Sequence, residues 1–185
     1  MFREEIGKRL LVTVIWLTML NFLRLAAGRW DWYWLLFWLG AGLGTFLMDL
    51  DAWLDRLVLN PQNGISQEIK KLVRAKKYQQ AYNWLLDAQQ RQIRLAFRSA
   101  LFQLVLVIFC FWALTSTGSW LGKGLVMALY LQLGREVVEL RLRNQDQFLR
   151  QRLFSIFKKT MPARAETFWV IGFVLAFLVL NLLLI

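Results

Sequence analysis

The chain has 185 residues, 58% hydrophobic, 15% aromatic and 19% charged, with a mean hydropathy of +0.42. Soluble domains run nearer roughly 45–50% apolar and about 25% charged, so an ordinary soluble globular fold is excluded and a single-domain polytopic membrane protein, all-α, is predicted. The net charge of +11 would suggest nucleic acid in a soluble chain. In a membrane chain it predicts basic cytoplasmic segments and contact with anionic lipid, and no aromatic-interleaved basic motif argues for nucleic acid.

Met1–Arg9 is short and charged. Residues 10–27 form the first apolar run, interrupted by Asn21 and Arg24. A cleaved signal peptide would suit Ala26–Ala27, but two glutamates near the start and an internal arginine argue against one. Arg24 can snorkel to an interface. After a Gly28–Arg29 turn, residues 30–51 read as a second transmembrane helix, the one expected to organise the bundle. About twenty apolar residues cross a bilayer core. Trp30, Trp32, Tyr33, Trp34 and Trp38 supply an aromatic belt, and Gly40, Gly42 and Gly44 are small residues that admit a neighbouring helix. Asp49 and Asp51 close it with two carboxylates where charge is expensive.

Residues 52–96 are polar and basic. Asn60–Gly64 marks a loop, Ser66 can cap the helix that follows, and Ile69, Leu72 and Val73 share one helical face. The stretch KKYQQAYNWLLDA resembles one tetratricopeptide-type hairpin, but one repeat does not make an array. A helical hairpin is predicted over Ser66–Gln92, with Lys70, Lys71, Lys76 and Lys77 turned to anionic lipid. Residues 97–116 form the third span. It holds Cys110, the single cysteine, expected as a small buried hydrophobe. A turn at Thr115–Ser119 leads to the fourth span, residues 120–140. Lys123, Gln132, Arg135, Glu136 and Glu139 require that span to face protein or water. Residues 141–167 form a second basic helical segment, and residues 168–185 a clean apolar fifth span.

Basic residues accumulate before the first span, between the second and third, and before the fifth. That places the N-terminus in the cytoplasm and the C-terminus outside. Asp49, Asp51, Arg98, Ser99, Gln132 and Glu136 then converge near the inner leaflet. Gln132 and Glu136 are four residues apart and share a face, and Gly42 and Gly44 precede Asp49 and Asp51 by seven residues. Several acids together need a cation.

At these residues the chain resembles the membrane-embedded, metal-dependent hydrolases described as LexA-binding and inner-membrane-associated. That family shows an Asp-x-Asp-His after a Gly-rich helix, a His-Ser at the start of a later helix and a His-Leu-x-x-Asp on a further one. Here LGAGLGTFLMDLDA supplies Asp49 and Asp51, with Ala52 in the histidine place. LAFRSALFQ supplies Ser99, with Arg98 for histidine. YLQLGRE supplies Leu133, with Gln132 for histidine and Glu136 for aspartate. The resemblance covers about Gly40–Val137 and implies a bacterial cytoplasmic membrane location. The chain has no histidine anywhere, and a guanidinium cannot ligate a metal. Arg98 is therefore expected to pair with Asp51 or Glu136 and to supply the positive charge a metal would supply.

Two functional classes follow. In the first, the protein is a catalytically silent relative without a cofactor, a scaffold or interaction protein meeting lipid or a cytoplasmic protein partner. In the second, Asp49, Asp51 and Glu136 hold Mg²⁺ or Mn²⁺ through oxygen ligands and hydrolyse a phosphorylated lipid, with Arg98 on the phosphate. A transporter is disfavoured by the lack of an inverted repeat and of broken helices. The Gly40–Gly44 spacing is helix packing and not a phosphate loop, since no Lys-Ser/Thr follows.

Overall fold

A computed structural model describes residues 2–29, 31–54, 64–81, 83–84, 98–116, 118–154 and 162–185; within these, the side chains of residues 2, 3, 49–54, 64–66 and 163 lie outside the description. Among the described residues the protein is all-helical, without a strand. The helices are α1 (Phe2–Ala26), α2 (Trp34–Leu54), α3 (Gly64–Arg74), α4 (Ala100–Ser116), α5 (Trp120–Leu142), α6 (Asp146–Leu153) and α7 (Ala163–Leu182). Residues 78–81 form a further helical turn.

The punctuation is local chemistry. Ser119 caps α5 by accepting a hydrogen bond from the Gly122 amide at 3.2 Å. Three helices end on a residue with positive φ: Gly28 (69°), Lys76 (57°) and Asn144 (55°). In each case the residue after it donates to a carbonyl five positions back, at Arg24, Leu72 and Leu140, the closing bond of a Schellman motif. Ser66 falls inside the first turn of α3, which begins at Gly64, and is not its cap.

Among the described residues two helices are long and apolar enough to cross a membrane, Glu4–Ala26 with hydropathy 1.5 and Arg164–Leu182 with hydropathy 2.0. Only 33% and 17% of these windows are buried. The apolar stretches Trp34–Met48 and Ala100–Ser116 are shorter. α5 has 23 residues, about 34 Å of helix, but its polar residues keep it from counting as an apolar span. Large apolar side chains are exposed along all the apolar helices, among them Ile15, Phe22, Leu39, Leu43, Ile108 and Leu178. Extended exposed apolar surface marks a site for a membrane or a partner more often than a free surface.

The organising helix is α5, not α2. It packs against α1, α2, α4, α6 and α7 and is buried at Gly124, at Val126–Tyr130, and at Gln132, Leu133 and Val137. Its polar residues explain why: a helix with this many amide and charged groups takes the centre, where its neighbours supply their partners. Its closest neighbour is α2, to which it runs parallel. A Cβ on Gly40 would overlap the Leu121 carbonyl, one on Gly44 the Leu125 carbonyl, and one on Gly124 the Phe37 carbonyl. These glycines let two backbones touch. Gly42, expected in this seam, meets nothing within 4 Å. Two residues are about 200° of helix, so Gly42 faces away from the side shared by Gly40 and Gly44.

Contacts fix the directions of the other helices. At one end, Arg24 of α1 donates to the Leu184 carbonyl after α7 (2.5 Å) and to Asp31 (3.2 Å). Its guanidinium lies 4.5 Å from the Trp34 ring centroid and 5.0 Å from that of Trp120, a buried cation between two indoles where snorkelling was expected. At the other end gather the starts of α1, α4 and α7, the end of α5, and α6. Consecutive long helices therefore alternate in direction. Neutral hydrogen bonds tie them at several levels, from Trp16 to Asn181 (2.8 Å), Tyr130 to the Phe173 carbonyl (2.6 Å) and Trp169 to Gln103 (2.7 Å).

Candidate functional site

The end that collects the start of α1 and the end of α5 is rich in arginine. α5 leaves the apolar core at Gln132, whose amide nitrogen donates to the Arg9 carbonyl (3.1 Å) and to the Thr13 hydroxyl (2.9 Å). The Thr13 and Thr45 hydroxyls are 3.0 Å apart. This buried network joins α1, α2 and α5 and satisfies the amide of a residue that cannot face lipid. Met48, one turn beyond Gly44 on the seam side of α2, is buried beside it.

Glu136 lies one turn past Gln132. Its Oε2 is 2.8 Å from Arg98 Nε, and its Oε1 accepts from Arg152 Nη1 at 2.6 Å. The arginines are almost fully buried, at 6% and 4% exposure, while the carboxylate is 23% exposed. α4 brings Arg98 and α6 brings Arg152. α6 folds back after the Asn144 turn because Leu149 and Leu153 bury against Ala100 and Val137. One carboxylate thus stands between two guanidiniums, hydrogen-bonded to Arg152 and in ion-pair contact with Arg98.

A second group follows on the outward face of α5. Arg135 Nη2 donates to Glu5 (2.7 Å) and Glu139 (3.4 Å), Arg143 donates to Glu139 (2.5 Å), and Arg9 lies 3.6 Å from Glu5. A third group is built on Glu166 of α7, which has 0% exposure and accepts from Arg141 and Arg150 at 3.2 Å each. Arg141 also reaches Asp146 at 2.9 Å.

The first two groups line a cavity of about 270 Å³ whose wall includes Glu5, Arg9, Arg98, Gln132, Arg135, Glu136, Glu139, Arg143 and Arg152, with Met48, Leu140 and Phe148 as its apolar share. The structure thus brings Arg98, Gln132 and Glu136 together. Ser99 instead starts α4, accepting from the Phe102 amide at 3.3 Å, and is absent from the cavity wall. Asp49 and Asp51 fall in the last turns of α2, but their side chains lie outside the described residues. Of the two partners expected for Arg98, Glu136 is in contact.

The sequence reading missed Glu5, Arg9, Arg152 and Glu166 as members of this region. Four-residue spacings of opposite charge (Glu5–Arg9, Arg135–Glu139) were a visible sign. So was the use of arginine in the segment after α5, against lysine around α3. Among the described residues no three His, Cys, Asp or Glu side chains converge as metal ligands. Chemically the cavity is a place for an anion held by planar, always-charged donors. Compared with protein-family models, with curated proteins and with solved structures, the chain matches none.

Proposed function

We propose that this is a five-span protein of a bacterial cytoplasmic membrane, N-terminus inside, that acts without catalysis as a scaffold at the inner leaflet. The observation that supports it best is the Arg98–Glu136–Arg152 bridge. Where the resembled hydrolases would place a metal-binding imidazole, this chain places a guanidinium already engaged by the carboxylate that would be the third ligand. The site is then a structural ion pair that closes α4, α5 and α6 at the cytoplasmic end. The alternating helix directions and the exposed apolar girdle support five crossings, with α5 shielded from lipid by its neighbours. The exposed lysines of the α3 region, Lys71, Lys76 and Lys77 among them, offer a basic face to anionic lipid or a cytoplasmic partner.

The test is metal dependence of thermal stability in detergent. A metal bound only to the folded state adds about 2.7 kcal/mol at about a hundred times its dissociation constant. The expected melting temperature is the same with EDTA, Mg²⁺, Mn²⁺ or Zn²⁺. A rise with Mn²⁺ or Mg²⁺ that Asp51→Asn abolishes would overturn the scaffold reading in favour of a phosphorylated-lipid hydrolase. Orientation is checked separately: a fluorescent protein on the N-terminus should fluoresce, and a periplasm-dependent phosphatase on the C-terminus should be active.

A further inference from the structure

We infer that the arginine-lined cavity binds the phosphate of an anionic lipid headgroup, with Arg135 and Arg143 as its principal contacts. This rests on the membrane orientation proposed above. Among the described residues every cation in the cavity wall is an arginine, although Lys8 adjoins Arg9 in sequence. Arginine's planar fork fits phosphate oxygens two at a time. Arg135 is the informative residue. Glu5 and Glu139 hold its Nη2, while its Nη1 is buried with no hydrogen-bond partner. A guanidinium fixed from one side with a buried donor left over is a half-filled site, since buried N–H groups are ordinarily satisfied. Arg143, 58% exposed at the rim, already bonds Glu139 and has further N–H groups to offer. Among the described residues the wall's three carboxylates are each engaged by at least one arginine, which lessens their repulsion of an incoming anion.

The lipid source follows from location. The cavity lies where the apolar girdle ends, the depth of a headgroup, and Met48, Leu140 and Phe148 give its wall an apolar side for glycerol and the first methylenes. A free phosphate ion would have no use for that side.

The experiment uses the full chain in neutral detergent. A thiol-reactive dye on the single, buried Cys110 reports unfolding. Short-chain phosphatidic acid and phosphatidylglycerol should each raise the melting temperature by about 5 °C near saturation, and phosphatidylcholine should not. Arg143→Gln leaves the Arg98–Glu136–Arg152 bridge intact and should weaken the lipid response about tenfold. Arg135→Gln should weaken it further. Equal shifts with phosphatidylcholine, an unchanged response in both variants, or an equal shift with inorganic phosphate at matched concentration would overturn the assignment. A missing lipid response beside a flat metal response overturns this inference alone, whereas a metal response overturns the scaffold reading whatever the lipids do.

Discussion

The two halves of α5 solve opposite problems. From Trp120 to Leu129 the helix lies against α2 so closely that Gly40, Gly44 and Gly124 admit no side chain. From Gln132 to Arg143 it carries amide, guanidinium and carboxylate groups that reach across a cavity to α1, α4 and α6. The first half holds by the absence of side chains and the second by their length. In the proposed membrane setting there is no hydrophobic drive to bring helices together, so dispersion over a close seam would do that work at one end and charge-assisted contacts at the other.

The comparison breaks first at the ionic half. Arg98→Ala removes one of the two guanidiniums on Glu136, which keeps its bond to Arg152, and a loss of about 1.5–3 kcal/mol is expected for one charge-assisted contact, read as melting temperature in detergent. Arg98→Lys should recover only part of it, because an ammonium cannot reproduce the planar fork. A variant as stable as the parent would show that the bridge contributes nothing.

The close half should break next. Gly124→Ala puts a methyl into the Phe37 backbone, and overpacking of this kind costs about 1–3 kcal/mol. Gly40→Ala and Gly44→Ala should behave alike. Circular dichroism should keep its helical signal while the melting temperature falls, since the helices separate before they unwind.

Where the two halves meet, Gln132→Leu removes the bonds to Arg9 and Thr13. Interhelical hydrogen bonds in membranes average about 0.6 kcal/mol, so a loss near 1 kcal/mol is expected. The smallest effect has the opposite sign. Gly42→Ala enters open space and should stabilise by up to about 1 kcal/mol, the difference in helix propensity. If Gly42→Ala destabilised as much as Gly44→Ala, the assignment of the seam to one face of α2 would be wrong.

Much of this architecture was legible in the residues. The apolar runs, the Gly28 turn and the charged interruption of the fourth run located α2, α4 and α5 to within four residues, since helix formation and termination depend on neighbours in sequence, whereas α1 begins eight residues and α7 five residues before the apolar runs expected at 10–27 and 168–185. The Gly40–Gly44 spacing identified a close-packed face, and helical periodicity could have excluded Gly42 from it. Arg98, Gln132 and Glu136 could be named because they are costly in an apolar setting.

What the sequence determined by itself was therefore local: which segments are helical, which faces are small or apolar, and which residues must find a polar partner. Only the tertiary structure decided the partners. Glu5 meets Arg135 across 130 positions, Arg24 closes on the carbonyl of Leu184 across 160, and Arg152 folds back onto Glu136 because α6 buries Leu149 and Leu153. It also moved the centre of the bundle from α2 to α5. Periodicity states that a face must be covered. Which helix covers it is settled by the packing of all of them at once, and the most polar long helix takes the middle because there its amide and charged groups find partners on every side.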